Sequence, residues 1–107
     1  MASWIILFLA GLAEIVWVVG LKRADGFTVL LPSVVTLFAM GCSITLLGIA
    51  IRSLPIGVAY AVWTGIGVVG AAVAGMLLEA EPVSLARLFF IFLVVIGVGG
   101  LKLATPD

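Results

Sequence analysis

The stretch AGLAEIVWVVG, residues 10–20, places one carboxylate in the middle of a long apolar run. The run extends from Trp4 to Leu21, and Glu14 is its only charged residue. About 20 apolar residues are enough for a helix to cross a bilayer. Because an ionised acid near the centre of such a helix costs on the order of 2.5 to 3.5 kcal/mol, we expect Glu14 to face protein, water or a ligand, or to be protonated.

The whole chain has the composition of a membrane protein. Of its 107 residues, 65% are hydrophobic and 9% are charged, whereas an ordinary soluble domain has about 25% charged residues. Long apolar runs without strict alternation favour helices over the strands of a barrel. We therefore predict an all-α integral membrane protein, with a single four-helix transmembrane domain over residues 1–107. The predicted helices cover residues 4–21, 30–51, 55–78 and 85–103.

Metal and cofactor chemistry has little support in the sequence. The chain contains no histidine, and its one cysteine, Cys42, lies within an apolar stretch and is interpreted as a packing residue. The acidic residues are not clustered, so no metal site is expected. We also expect no cofactor, no nucleic-acid partner and no enzyme activity, because neither a nucleophile nor a second acid–base group accompanies Glu14.

Small and aromatic residues surround Glu14 on its helical face. At 100° per residue, Gly11 and Trp17 flank it. Gly11 leaves space or allows another helix to approach, while Trp17 offers a ring face that attracts cations and an indole N–H that can bond the carboxylate. Two alternatives stay open: Trp17 can be a packing residue, and Glu14 can be a structural carboxyl that bonds a neighbouring helix.

The predicted second and third helices supply further polar and aromatic groups. Tyr60 and Trp63 share a face with Gly67 in the third helix. The Tyr60 hydroxyl needs a partner when it is buried, and Glu14 is the obvious acceptor. Ser43 lies near the middle of the second helix and is a further candidate to meet Glu14, although a mid-helix serine often bonds its own backbone.

The glycines of the predicted third helix have two compatible interpretations. Gly65, Gly67 and Gly70 weaken the middle of the helix, which makes Gly65 and Gly67 a candidate hinge. Gly67, Ala71 and Gly75 also form a row of small residues at four-residue spacing, which favours close helix packing. The aliphatic fourth helix is interpreted as a packing or dimerisation helix.

Basic residues are distributed almost equally between the two sides of the predicted membrane domain. Four spans place Arg52 and Lys102 on one side, and Lys22, Arg23 and Arg87 on the other. Orientation follows the excess of Lys and Arg in short loops. Because the N-terminal amine offsets the difference of one, we expect dual topology, in which both orientations insert.

The chain resembles the small multidrug resistance family over essentially its full length. The resemblance rests on AEIVW at residues 13–17, on GFT and then PS at the start of the second helix, and on LPIGVAYAVWTGIG at residues 54–67. Within the family the chain is most similar to the guanidinium exporter subtype, whose binding-site residues it matches at six positions. These are Gly11, Glu14, Trp17, Ser43, Tyr60 and Trp63.

The resemblance implies an antiparallel homodimer, in the inner (plasma) membrane of a bacterium, that exports guanidinium-like cations in exchange for protons. Glu14 of both protomers would be the shared proton and substrate site, lined by Tyr60 and Trp63. Ser43 and Trp17 would orient the carboxylate, and the glycine one turn before Glu14 would make room in the site.

Two other functions remain alternatives at this stage. One is a drug-resistance exporter of bulky quaternary ammonium cations, which aromatic contacts would recognise without hydrogen bonds. The other is a structural subunit of a larger membrane complex. The combination of Glu14, Tyr60 and Trp63 argues against a purely structural role, because a structural subunit has no need of a carboxylate among aromatic residues.

Overall fold

The computed structural model describes residues 2–105, which form four helices joined by short loops. Each helix is long and apolar enough to cross a membrane, and a helix of 23 residues is about 34 Å long. The four helices confirm the prediction of an all-α membrane fold. Their bounds are Ala2–Ala24 (α1), Leu30–Ala50 (α2), Ile56–Leu78 (α3) and Leu85–Ala104 (α4).

The first loop is a tight reversal of the chain. α1 continues past its predicted end at Leu21 as far as Ala24. Asp25, Gly26 and Phe27 then have φ values of 48°, 72° and 66°. This left-handed conformation is easily adopted only by glycine, with aspartate next in preference. The Asp-Gly pair therefore ends α1 sharply, as the sequence predicts.

Proline and serine mark the starts of the later helices. Pro32 lies in the first turn of α2, where its missing N–H costs no helical hydrogen bond. Pro55 is the N-cap of α3, so this helix begins at Ile56, one residue later than predicted. Ser84 is the N-cap of α4, and its hydroxyl accepts a hydrogen bond from the Arg87 backbone N–H at 3.1 Å.

The helices form a thin layer with α1 and α3 at its centre. α1 packs against α2 and α3, and α4 packs against α3. The principal extents are 42 × 34 × 17 Å, so the smallest dimension is less than two helix diameters of about 10–12 Å each. No residue of α4 is buried. A single chain therefore leaves most of α4 and much of the other three helices exposed to their surroundings.

Small polar residues form the buried face of α2 where it meets α1. Thr36 and Ser43 are fully buried. The Thr36 hydroxyl donates to the Pro32 carbonyl at 2.7 Å, and it lies where a Cβ on Gly20 would be. The missing side chain at Gly20 thus allows α1 and α2 to approach closely, as is common between membrane helices.

Candidate functional site

Glu14 lies at the contact between α1 and α3. Its residue surface is 7% exposed. A Cβ placed on Gly67 would overlap the Glu14 carboxylate, with Oε1 the nearest atom. The carboxylate therefore packs directly on the Gly67 backbone, and any larger residue at position 67 would have to displace it.

The Glu14 carboxylate has no partner within the part of the chain that the structure describes. Among residues 2–105 no side chain donates a hydrogen bond to it, and the ion pair in this range, between Arg23 and Glu79, is elsewhere. A carboxylate removed from water is costly unless it is neutralised or hydrogen-bonded. Within residues 2–105, Glu14 is therefore a buried carboxylate to which no side chain donates a hydrogen bond or supplies a positive charge.

Ser43 connects three helices instead of meeting Glu14. Its hydroxyl donates to the Ala10 carbonyl of α1 at 2.8 Å. The same oxygen accepts the indole N–H of Trp63 in α3 at 2.9 Å. The expected hydrogen bond from Ser43 to Glu14 is absent from this structure, because the single hydroxyl proton is used on Ala10.

The Ser43 network reaches the helical turn that carries Glu14. In an α-helix the Ala10 carbonyl also accepts the backbone N–H of Glu14, four residues later. Ser43 and Trp63 therefore hold the backbone from which the carboxylate projects, while leaving the carboxylate itself free. Sequence reasoning missed the role of Ala10, since a backbone acceptor has no signature in side-chain chemistry.

Two hydrogen-bond donors near the site lack acceptors. The indole N–H of Trp17 and the hydroxyl of Thr64 are buried without a partner in the described chain. Trp17 is one turn from Glu14 on α1, and Thr64 follows Trp63 on α3. Sequence reasoning named Trp17 but missed Thr64, although a hydroxyl in an apolar helix beside a site tryptophan is a usable signal. Buried donors without an acceptor are uncommon in folded proteins.

The two aromatic candidates of α3 lie together at an exposed edge. The ring centroids of Tyr60 and Trp63 are 5.6 Å apart, with the ring planes tilted by 44°. Tyr60 is 57% exposed, and its hydroxyl does not bond Glu14 within the described chain. The structure thus connects Trp63 to the Ser43 network, whereas Tyr60 points away from the packed interior.

Each candidate glycine accommodates a side chain from another helix. A Cβ on Gly11 would overlap Ile66, one on Gly65 would overlap Val98, and one on Gly70 would overlap Ile15. Gly11 is thus filled by α3 in this structure. These contacts support the packing interpretation of the glycines, and α3 runs as one continuous helix through them. The hinge at Gly65 and Gly67 stays a prediction.

The fold and the site together define a multi-pass membrane protein in which a buried carboxylate has no hydrogen-bond or ion-pair partner among residues 2–105. The family model described as Small Multidrug Resistance protein matches residues 2–94. The chain therefore belongs to the small multidrug resistance family and is a membrane transport protein, as the sequence motifs predict.

Curated relatives of the chain carry a more specific name. A protein of Citrobacter freundii named guanidinium exporter is 57% identical over 103 residues, which cover 96% of this chain and 98% of the relative. A guanidinium exporter of Yersinia pestis is 53% identical over 96% of this chain and 99% of its own length. A third, from Salmonella typhimurium strain LT2, is 56% identical over 95% of this chain and 97% of its own length.

Proposed function

We propose that this protein is a proton-coupled antiporter that exports guanidinium and small guanidinyl cations from a bacterial cell across the inner membrane. The observation that carries the proposal is Glu14, a carboxylate at membrane depth with no cationic partner in the described chain. The names of the bacterial relatives support guanidinium as the substrate. The transported cation and the proton would both be partners of Glu14.

Exchange follows from competition for one carboxylate. A protonated Glu14 has no charge to balance a cation, and a bound cation excludes the proton. An ionised, empty carboxylate in a site of low polarity is the costly state. The protein would therefore alternate between its inward-open and outward-open states mainly with a proton or a cation bound. This preference makes transport of one obligatory for transport of the other.

Guanidinium suits a site of this chemistry. It is planar, and its forked N–H groups match the two oxygens of a carboxylate. The Trp17 ring provides an aromatic surface one turn from Glu14, and ring faces attract cations. Substrate choice would then come from the direction of hydrogen bonds more than from the volume of the cavity.

A second copy of the chain would complete the site. One chain is a layer 17 Å thick, which cannot enclose a path across the membrane. The exposed Tyr60 and the unpartnered donors of Trp17 and Thr64 are groups that a second copy could cover. We propose an antiparallel homodimer, because almost equal numbers of basic residues on the two sides allow both orientations to insert.

Exchange in proteoliposomes tests the proposal. The purified protein alone, reconstituted in liposomes with an outwardly directed guanidinium gradient, should move protons in the opposite direction to guanidinium. Addition of tetraethylammonium in place of guanidinium should give a much smaller proton flux. Liposomes without protein, and liposomes with Glu14→Gln, are the controls.

Each alternative function has its own outcome in this assay. A proton flux that is larger with tetraethylammonium than with guanidinium would favour the exporter of quaternary ammonium cations. An absence of flux with every cation, from protein that is folded and inserted, would favour a structural subunit. Guanidinium movement without proton movement would refute the coupling.

A further inference from the structure

A cleft of about 370 Å³ opens between the C-terminal ends of α1 and α3. Its volume is within the range of about 300–1,000 Å³ that small-molecule sites occupy. Glu14 is not among the lining residues, and the deepest of them, Val18 and Ala71, lie one helical turn beyond Glu14 and Gly67. The lining residues are Val18, Val19, Lys22, Ala71, Ala72, Ala74, Gly75, Leu78, Glu79 and Glu81.

The mouth of the cleft carries both signs of charge. Arg23 Nη2 lies 3.3 Å from Glu79 Oε1, an ion pair that joins the end of α1 to the end of α3. Lys22 and Glu81 line the cleft, and within residues 2–105 neither forms an ion pair. The mouth therefore presents one ammonium and one carboxylate that are available to a ligand.

Glu81 is held at this position by the backbone of α3. Its N–H donates to the Gly75 carbonyl at 3.2 Å. Its carboxylate occupies the space beside Gly75, where a Cβ would collide with it. The carboxylate thus lies against the end of α3 while the residue stays exposed, and the missing side chain at Gly75 is what permits this position.

The cleft extends from the interior of two membrane-spanning helices to their ends. Lys22 and Glu81 lie at or just beyond the ends of membrane-spanning helices, whereas Val18 and Ala71 lie at least one turn deeper along α1 and α3. The inner walls are apolar and the mouth is charged. A ligand with a charged head and a hydrocarbon tail matches both parts.

We propose that this cleft binds the headgroup of a zwitterionic aminophospholipid, such as phosphatidylethanolamine. The Lys22 ammonium would bind the lipid phosphate, the Glu81 carboxylate would accept hydrogen bonds from the lipid ammonium, and the start of an acyl chain would lie along Val18 and Ala71. Charge-assisted hydrogen bonds of this kind are roughly twice as strong as neutral ones. The site is independent of the proposed transport function.

The pattern of charge favours a zwitterion over a simple ion. The residues Lys22, Arg23, Glu79 and Glu81 carry two positive and two negative charges, so the region as a whole has no net attraction for either sign. A small cation would be attracted by Glu81 and repelled by Lys22. An anionic lipid would meet the reverse. A molecule that carries both charges, a short distance apart, gains from both residues.

Native mass spectrometry of the detergent-purified protein tests the proposal. The protein is titrated with phosphatidylethanolamine or with phosphatidylglycerol of the same acyl chains. We expect wild-type protein to bind phosphatidylethanolamine more tightly than phosphatidylglycerol. Lys22→Gln and Glu81→Gln should each weaken phosphatidylethanolamine binding about tenfold, the effect of losing one charge-assisted interaction. Arg52→Gln is the matched control, because this basic residue is in the loop at the other side of the membrane.

A second variant moves Glu81 without removing a charge. Gly75→Ala places a methyl group where the Glu81 carboxylate lies, so it should weaken phosphatidylethanolamine binding while the charges remain. Thermal unfolding in detergent without lipid verifies that each variant is folded. Equal binding of the two lipids by wild-type protein, or wild-type phosphatidylethanolamine binding in both Glu81→Gln and Gly75→Ala, would overturn the proposal.

Discussion

The Glu14 carboxylate of α1 rests on the backbone of Gly67 in α3, with no space for a side chain between them. This contact joins the most unusual residue of the first helix to the middle of the third. Because the interface is closed by the carboxylate itself, the position of Glu14 and the packing of the two helices depend on each other.

Gly67→Ala should therefore disturb both packing and transport. The added methyl group overlaps the carboxylate, and overpacking of a closed interface typically costs about 1–3 kcal/mol. We expect a loss of stability in this range, measured by reversible unfolding with SDS in mixed micelles, together with reduced guanidinium transport in liposomes.

The matched control for this substitution is Gly48→Ala in α2. Apart from its own helical backbone, no atom of the described residues lies within 4 Å of a Cβ at Gly48, so the same substitution should be neutral or slightly stabilising in a helix. Combining Gly67→Ala with Glu14→Ala should restore stability but not transport, because the overlap is relieved. Equal changes in stability from Gly67→Ala and Gly48→Ala would contradict the close contact between Gly67 and Glu14.

Glu14→Gln should abolish the pH dependence of substrate binding while leaving the protein folded. In the wild-type protein, protons and guanidinium compete for Glu14, so binding should strengthen as the pH rises and the carboxylate ionises. The amide neither binds a proton in this range nor balances a cation. Isothermal titration with guanidinium, from mildly acidic to alkaline pH, measures the binding affinity of the wild-type protein and of Glu14→Gln. Wild-type affinity that is independent of pH would contradict a shared site.

Ser43→Ala should destabilise the contact between α1, α2 and α3. The substitution leaves the Trp63 indole N–H without its acceptor and removes the hydrogen bond to Ala10. A buried donor left unpaired costs about 1–3 kcal/mol. Unfolding with SDS measures the loss. Ser33→Ala is the control, because the Ser33 hydroxyl donates to the carbonyl of Val29, the N-cap of its own helix. An equal loss of stability in both variants would mean that the hydrogen bonds between helices add no stability beyond that of a local one.

Tyr60→Phe should reduce guanidinium transport without changing the stability of the helical layer. The hydroxyl is removed from an exposed side chain that has no hydrogen-bond partner within residues 2–105, so an effect would come from a second copy or from the substrate. Loss of one such hydrogen bond corresponds to roughly tenfold in affinity. Transport assays in liposomes measure this reduction. A wild-type transport rate in Tyr60→Phe would mean that Tyr60 only packs against Trp63.

The balance of basic residues predicts dual topology. A reporter fused to the C terminus should be found on both sides of the membrane, since the excess of Lys and Arg is too small to select one orientation. Adding two lysines next to Arg52 should bias the orientation and lower activity. Co-expression with a variant that has two lysines added next to Arg23 should restore activity. A wild-type C terminus on one side only would be incompatible with an antiparallel pair.

The helices and the burial of Glu14 within the protein could be predicted from sequence, because both depend on local or general energetic costs. Backbone groups in lipid must be paired within the chain, so an apolar run of about 20 residues becomes a helix whatever its neighbours are. The cost of burying a carboxylate is equally independent of the fold. The predicted helix ends differ from those in the structure by a few residues, because turns and caps depend on detailed backbone geometry.

The partners of each site residue were decided only by the tertiary structure. Helical periodicity places Ser43 and Glu14 on the inner faces of their helices, but it does not give the relative height of two helices or their crossing point. That relative position sends the Ser43 hydroxyl to Ala10 and Trp63, and it puts Gly67, not a hydroxyl, against Glu14. Such contacts depend on how side chains from separate helices interlock, which is a property of the packed assembly and not of any one segment.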